Sequence, residues 1–273
     1  MAIKRIAVPI ESAEAGRTAL RAAIVIAAET GAEIEALHIR QRPQVPLTEP
    51  YAFGPAVSNE FLSGLEQAAR EKAAALKKMF DETAKGASRA RWVEREGVSP
   101  FDIGAAVRVA DLAVFGRPAD AAAYREAANL EETLFQSGRP VLLAPPDTLT
   151  SFPRRILFAW NGSREAARAM AAAAPFFAPA EAVGVVTFGA PHAGVPGPEA
   201  AAETLRLHGA RVEIIARDKD DRDAEGFLDL ARAWRADLGV MGAYSHARWR
   251  QIVLGGFTRG MLAQTAFPVL MAH

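Results

Sequence analysis

The sequence of 273 residues contains no cysteine at all. That excludes disulfides, zinc–thiolate sites and cysteine nucleophiles. It has no excess of either charge: Lys and Arg number 32, Asp and Glu number 32, and the formal net charge is zero. A general attraction to nucleic acid or to acidic membrane surfaces needs clustered positive charge, so neither is expected as a partner. No apolar run approaches the ~18 residues of a membrane span. The first residues, Met1-Ala2-Ile3-Lys4-Arg5, run straight into a strand-like Ile6-Ala7-Val8, without the charged-then-apolar build of a signal peptide. The cytoplasm is the expected location.

What the chain does have is apolar residues, which make up 50% of it. It also repeats itself. Lys4-Arg5-Ile6-Ala7-Val8 returns as Arg154-Arg155-Ile156-Leu157-Phe158. Asp111-Leu112-Ala113-Val114-Phe115-Gly116 returns as Asp237-Leu238-Gly239-Val240-Met241-Gly242. Arg139-Pro140-Val141-Leu142-Leu143-Ala144 returns as Phe267-Pro268-Val269-Leu270-Met271-Ala272. Three pairs in the same order point to a duplicated unit. The proline-rich stretch from Pro145 to Pro153 marks the join, because proline neither pairs in a ladder nor continues a helix. The expected units are residues 1–146 and 153–273, with a linker at 147–152.

Each unit alternates short apolar runs with helical periodicity. In the first, strands are expected at Ile3–Ile10, Glu33–Ile39, Arg89–Arg95, Leu112–Phe115 and Val141–Ala144. Helices are expected at Ala13–Thr30, Ser58–Lys85, Pro100–Ala110 and Arg125–Gln136. The long helix carries Phe61, Leu65, Ala69, Ala73, Leu76 and Phe80 at helical spacing as its apolar face. In the second unit, strands are expected at Arg155–Trp160, Ala182–Phe188, Arg211–Ala216, Leu238–Met241 and Val269–Ala272. Its helices are expected at Arg164–Phe177, Pro198–His208, Arg222–Arg235 and Phe257–Thr265. The fold class is α/β, with two tandem doubly wound five-stranded parallel sheets of Rossmann-like order 3-2-1-4-5. In that order the ligand crevice lies at the carboxyl ends of strands one and four, where the order reverses.

The loops at that crevice in the second unit are Asn161-Gly162-Ser163-Arg164-Glu165 and the stretch from Gly242 to Arg259. The latter runs Gly242, two residues, Ser245, nine residues, Gly255-Gly256, and then a helix. These features resemble the universal stress proteins. Their first strand ends in Asp followed by Gly-Ser, and their late loop reads Gly, two residues, Gly, nine residues, Gly, then Ser or Thr. The spacing is intact here. Ser245 and Gly256 depart from the pattern, and Asn161 stands where the family has Asp. The resemblance covers both units. It implies an adenine nucleotide, ATP first and with magnesium open, held in the second unit by Ala159, Asn161, Met241, Gly242, Ser245, His246, Arg248, Gly255, Gly256, Phe257 and Thr258. The chemistry is general: glycines let backbone amides reach phosphate, and a helix N-terminus adds positive potential. Asn161 can equally serve only to cap the helix at Arg164.

The first unit lacks the glycine pattern. Its loops read Glu11-Ser12-Ala13-Glu14 and Gly116-Arg117-Pro118-Ala119-Asp120, and Glu126, Glu131 and Glu132 add negative charge near its last helix. No nucleotide is expected there. No catalytic base is identifiable, so activity beyond a weak ATPase is not expected. Asp218–Asp223 has the look of a calcium loop, but Arg222 and Asp223 break its pattern. The five histidines show no metal-ligand spacing. Trp160, Trp234 and Trp249 read as packing residues, and Pro43–Pro55 as an irregular loop. Family dimers meet through the last strand, so Val141–Ala144 and Val269–Ala272 are expected to pair within the chain as a pseudo-dimer, with a homodimer as a further possibility. The role is stress response or signalling. The competing reading is a protein-interaction or small-ligand module of the same fold with no nucleotide.

Overall fold

The computed structural model describes residues 2–41, 56–117, 124–146, 148–189, 194–218, 224–243, 260–262 and 265–273. The Pro43–Pro55 loop therefore falls outside the described residues. So do most of the Asp218–Asp223 turn, Trp249 and the greater part of the Phe257–Thr265 helix.

The first half runs β1(Arg5–Pro9), α1(Ala13–Thr30), β2(Glu33–Gln41), α2(Ala56–Thr83), β3(Ala90–Gly97), α3(Phe101–Val107), β4(Leu112–Gly116), α4(Tyr124–Gln136) and β5(Val141–Ala144). The second runs β6(Arg155–Ala159), α5(Arg164–Ala172), α6(Ala174–Phe177), β7(Ala182–Phe188), α7(Pro198–Leu207), β8(Val212–Arg217), α8(Ala224–Trp234), β9(Leu238–Gly242) and β10(Val269–Ala272). Each half has the expected 3-2-1-4-5 order. The last strands of the two halves pair within the chain, as expected. The halves join as one ten-stranded sheet, β3-β2-β1-β4-β5-β10-β9-β6-β7-β8.

The join is the antiparallel pair β5–β10, the only antiparallel pair among the described strands. Its register places Leu142 opposite Leu270, Leu143 opposite Val269 and Val141 opposite Met271. By the repeat, Leu142 and Leu270 are the same position in the two copies. A local twofold axis therefore passes through this pair, as in an isologous dimer interface. Every residue of β4, β5 and β10 is buried, as expected for strands covered on both faces. The outermost strands β3 and β8 are half exposed and carry charge, which discourages pairing with another chain. Arg91 pairs with Glu35 at 2.6 Å and Arg40 with Glu94 at 2.9 Å, tying β3 to β2.

Two repeated residues explain why the halves fold alike. Asp111 precedes β4, and its Oδ2 accepts the backbone N–H groups of Lys4 and Arg5 at 2.8 and 2.9 Å. Asp237 does the same for Arg154 and Arg155, both at 2.8 Å. Each aspartate thus pins the start of strand four to the start of strand one. Burial pushes the Asp237 carboxyl above its usual range, against the pull of these hydrogen bonds. The folded state then holds a proton more readily than the unfolded chain. The group's contribution to stability is full below the ordinary aspartate range, near pH ~3.9, and declines as pH rises through the raised folded value. Asp237→Ala is expected to cost about 2 kcal/mol, since it orphans two backbone donors. The gap to wild type should narrow as pH rises through that window, measured by denaturant unfolding at a series of pH values.

Four expectations need correction. The helix expected over Arg164–Phe177 breaks into α5 and α6, because Pro175 cannot donate to the preceding turn. The apolar stripe of the long helix is only partly a core face: Ala73, Leu76 and Phe80 are buried, whereas Phe61 is 61% and Leu65 42% exposed. The segment expected as a linker is anchored, with Leu149 and Phe152 buried and Phe152 stacked on Phe176 at 5.3 Å. Finally, Ser163 and not Asn161 caps α5, its Oγ accepting the Ala166 N–H at 3.1 Å.

Candidate functional site

The crevice of the second half opens where β6 lies between β7 on one side and β9 on the other. Ala159, the last residue of β6, is the register partner of Met241. This brings the carboxyl ends of strands one and four side by side, as the strand order requires. Met241 is fully buried, so its side chain belongs to the core beneath the crevice. Beyond Ala159, Trp160 stays with the protein: its backbone N–H bonds to Val186 and its indole Nε1 donates to the Pro196 carbonyl at 3.0 Å. It is a packing residue, as is Trp234, which carries the Arg155 guanidinium over its ring at 4.3 Å.

Asn161 follows as an exposed residue. Its Oδ1 accepts the Ser163 N–H at 3.1 Å, closing a small turn that delivers the chain into α5. The first turn of α5 then lies directly on the end of β9. A Cβ on Gly242 would come within 2.5 Å of the Ala166 nitrogen and 2.6 Å of the Glu165 carbonyl carbon. The same contact recurs in the first half, where a Cβ on Gly116 would sit 2.0 Å from the Ala15 carbonyl oxygen. Gly242 therefore has a packing reason that is independent of any ligand: strand four and the first helix touch backbone to backbone. The N-terminus of α5, with its positive end and its Ser163 cap, is thereby fixed at the crevice.

Charge at this point is mixed. Glu165, in the same first turn, is buried beside Gly242, and the exposed Arg164 lies near its carboxylate, at 3.8 Å. Ser245, His246, Arg248, Gly255, Gly256, Phe257 and Thr258 lie outside the described residues. Of the expected site residues, the fold brings together Ala159, Asn161, Met241 and Gly242. Among the described residues no group of three or more His, Asp or Glu is positioned to hold a metal ion.

The first-half crevice differs. Glu11 occupies the position of Asn161, but it is buried, and its Oε2 receives Lys72 Nζ from α2 at 2.8 Å. His38, at the position of Thr187 in the second half, is also buried, and its Nδ1 lies 2.8 Å from the Ile10 carbonyl oxygen. Sequence reasoning missed this cluster. Glu11 and Lys72 are 61 residues apart, and no local pattern links them.

No family model matches the chain. No curated protein matches it either. Solved structures do. A universal stress protein from Archaeoglobus fulgidus DSM 4304 aligns over 98% of this chain and 95% of its own, with a TM-score of 0.71 and 16% identity. A protein of unknown function from Pseudomonas aeruginosa PAO1 aligns over 99% of this chain and 92% of its own, with a TM-score of 0.61 and 16% identity. A universal stress protein in complex with cAMP matches 52% of this chain and 97% of its own at 18% identity, but its TM-score of 0.30 is too low to transfer a site. Strand order and the full-length alignments agree: the chain has the universal stress protein fold, in two tandem copies.

Proposed function

We propose that this chain is a tandem universal stress protein that binds an adenine nucleotide, ATP first, in the second half alone. The observation that carries the reading is the α5 N-terminus packed on Gly242 at the end of β9. A helix start fixed at a switch point offers backbone donors and a partial positive charge to a phosphate. The spacing from Gly242 to Gly255-Gly256 supports the same reading from the sequence.

The described residues fit an anionic nucleotide in part. Asn161 is neutral and exposed, so it does not repel phosphate. Glu165 does bring a negative charge, and ATP complexed with magnesium therefore suits the site better than free ATP. In the first half, the Glu11 carboxylate stands where Asn161 is neutral, which disfavours a phosphate there. The role proposed is binding, in stress response or signalling.

Gly255→Asp is expected to weaken ATP binding roughly a thousandfold, since a carboxylate ~4 Å from a phosphate costs about 4 kcal/mol in a partly screened site. The measurement is the shift in unfolding midpoint with and without MgATP. A shift in wild type that disappears in the variant supports the reading. No shift in wild type favours the alternative, a protein-interaction or small-ligand module, for which the exposed Phe61 and Leu65 on α2 are the specific observation.

A further inference from the structure

The chain has three asparagines, Asn59, Asn129 and Asn161, and Asn161 alone precedes a glycine. The pair Asn161-Gly162 is built into the entry to α5. Asn161 Oδ1 accepts the Ser163 N–H at 3.1 Å, which takes a short side chain with an acceptor at its end. Gly162 has a φ of 72°, in the left-handed region, and a Cβ there would come within 2.7 Å of Val195 Cγ2. The turn therefore calls for both residues, and it leaves them open to reaction with each other. Asn161 is exposed, and among the described residues none accepts a hydrogen bond from the Gly162 N–H. Attack on Asn161 Cγ would place negative charge on Oδ1, where the Ser163 N–H already donates. Asn129 is the contrast within the same chain. It is 2% exposed, lies in α4, accepts a hydrogen bond from Ser99 Oγ and precedes Leu130.

We infer that Asn161 is a site of spontaneous deamidation, through which the second-half crevice acquires a carboxylate. The Gly162 nitrogen bonds to Asn161 Cγ and gives its proton to solvent base. The Cγ–Nδ2 bond breaks and ammonia leaves, so that a five-membered succinimide remains. Water then opens the ring. Cleavage between Cγ and the Gly162 nitrogen gives aspartate, and cleavage at the main-chain carbonyl gives isoaspartate. The fold accepts the aspartate, whose Oδ1 can take the same Ser163 N–H in a stronger, charge-assisted bond. The new charge also lies at the positive end of α5, where it is favourable. It stands where the proposed phosphate would bind, so it competes with an anionic ligand. Isoaspartate instead adds a methylene to the main chain just before the Ser163 cap. The first half has Glu11 at this position and cannot undergo the change.

The test is incubation of the full chain in mildly alkaline buffer, where the Gly162 nitrogen loses its proton more readily. The free peptide Ile156–Arg164 is incubated beside it. Released ammonia is assayed, and tryptic peptides are separated to resolve the asparagine, aspartate and isoaspartate forms. The expected result is conversion at Asn161 no more than ~10-fold slower than in the free peptide, with an equivalent release of ammonia. Both should rise with pH, and both should be lost in Asn161→Gln. Peptide mapping reads the wild-type chain directly, so a folding defect in that variant would not hide the answer. An intact Asn161 when the free peptide has fully converted would overturn the inference, because the turn would then shield the amide. Conversion confined to Asn59 or Asn129 would overturn it too. Neither outcome depends on whether the crevice binds a nucleotide.

Discussion

Replacing Gly116 with alanine is expected to destabilise the protein by about 3 kcal/mol or more, at the upper end of what overpacking costs. The new methyl would fall 2.0 Å from the Ala15 carbonyl oxygen and 2.8 Å from its carbonyl carbon. Both obstacles are backbone, so no side-chain rotation can relieve them. Relief requires the first turn of α1 to lift off β4, which pulls Ala15 and Ala19 out of a fully packed layer. Gly242→Ala should behave alike, with the Ala166 nitrogen at 2.5 Å. Thermal and denaturant unfolding would read both changes. A loss below ~1 kcal/mol in both would mean that the helix–strand contact is looser than described. The Gly242 change carries a second readout, because moving α5 also moves the positive helix end on which the nucleotide reading rests.

Cutting the chain after Pro146 should convert the first half into a dimer. In the whole chain, β5 is paired on both sides and all four of its residues are buried. Alone, it would present Val141–Ala144 as a bare apolar edge, which invites pairing. The geometry of that pairing already exists in the structure, since Leu142 faces its own repeat position, Leu270. A second copy of β5 can take the place of β10 with little change of shape. Light scattering on the isolated half should report a dimer or larger species, and a stable monomer would contradict the role given to this seam. The intact chain should unfold in a single transition, because one sheet and one buried cluster span both halves.

The parts of this fold that were legible in the sequence are those with a local cause. Strands covered on both faces read as short apolar runs, and β5, β7 and β10 have the bounds expected of them. The repeated aspartates and glycines kept their spacing because each makes a backbone contact: Asp111 and Asp237 hold strand starts, and Gly116 and Gly242 admit a helix. What the sequence hid depends on partners far along the chain. Helical period shows which side of α2 is apolar but not where the sheet beneath it ends, so the spacing of Phe61 and Leu65 does not reveal their exposure. Phe152 looked like part of a linker because nothing nearby announces Phe176. Asn161 was a reasonable cap, but Ser163 stands closer to the first free amides. The Glu11–Lys72 pair required the fold to bring α2 back over β1. Of the nucleotide-binding residues the resemblance implied, Ala159, Asn161, Met241 and Gly242 gather at one crevice, and Gly242 gained a structural duty that its motif reading did not include.

In the proposed function, the second half binds nucleotide and the first does not. Calorimetric titration of the intact chain with MgATP tests it most directly. One nucleotide per chain is expected, with affinity lost in Gly255→Asp and kept in Glu11→Gln. Absence of binding heat together with an unchanged unfolding midpoint, or a stoichiometry of two, would contradict it.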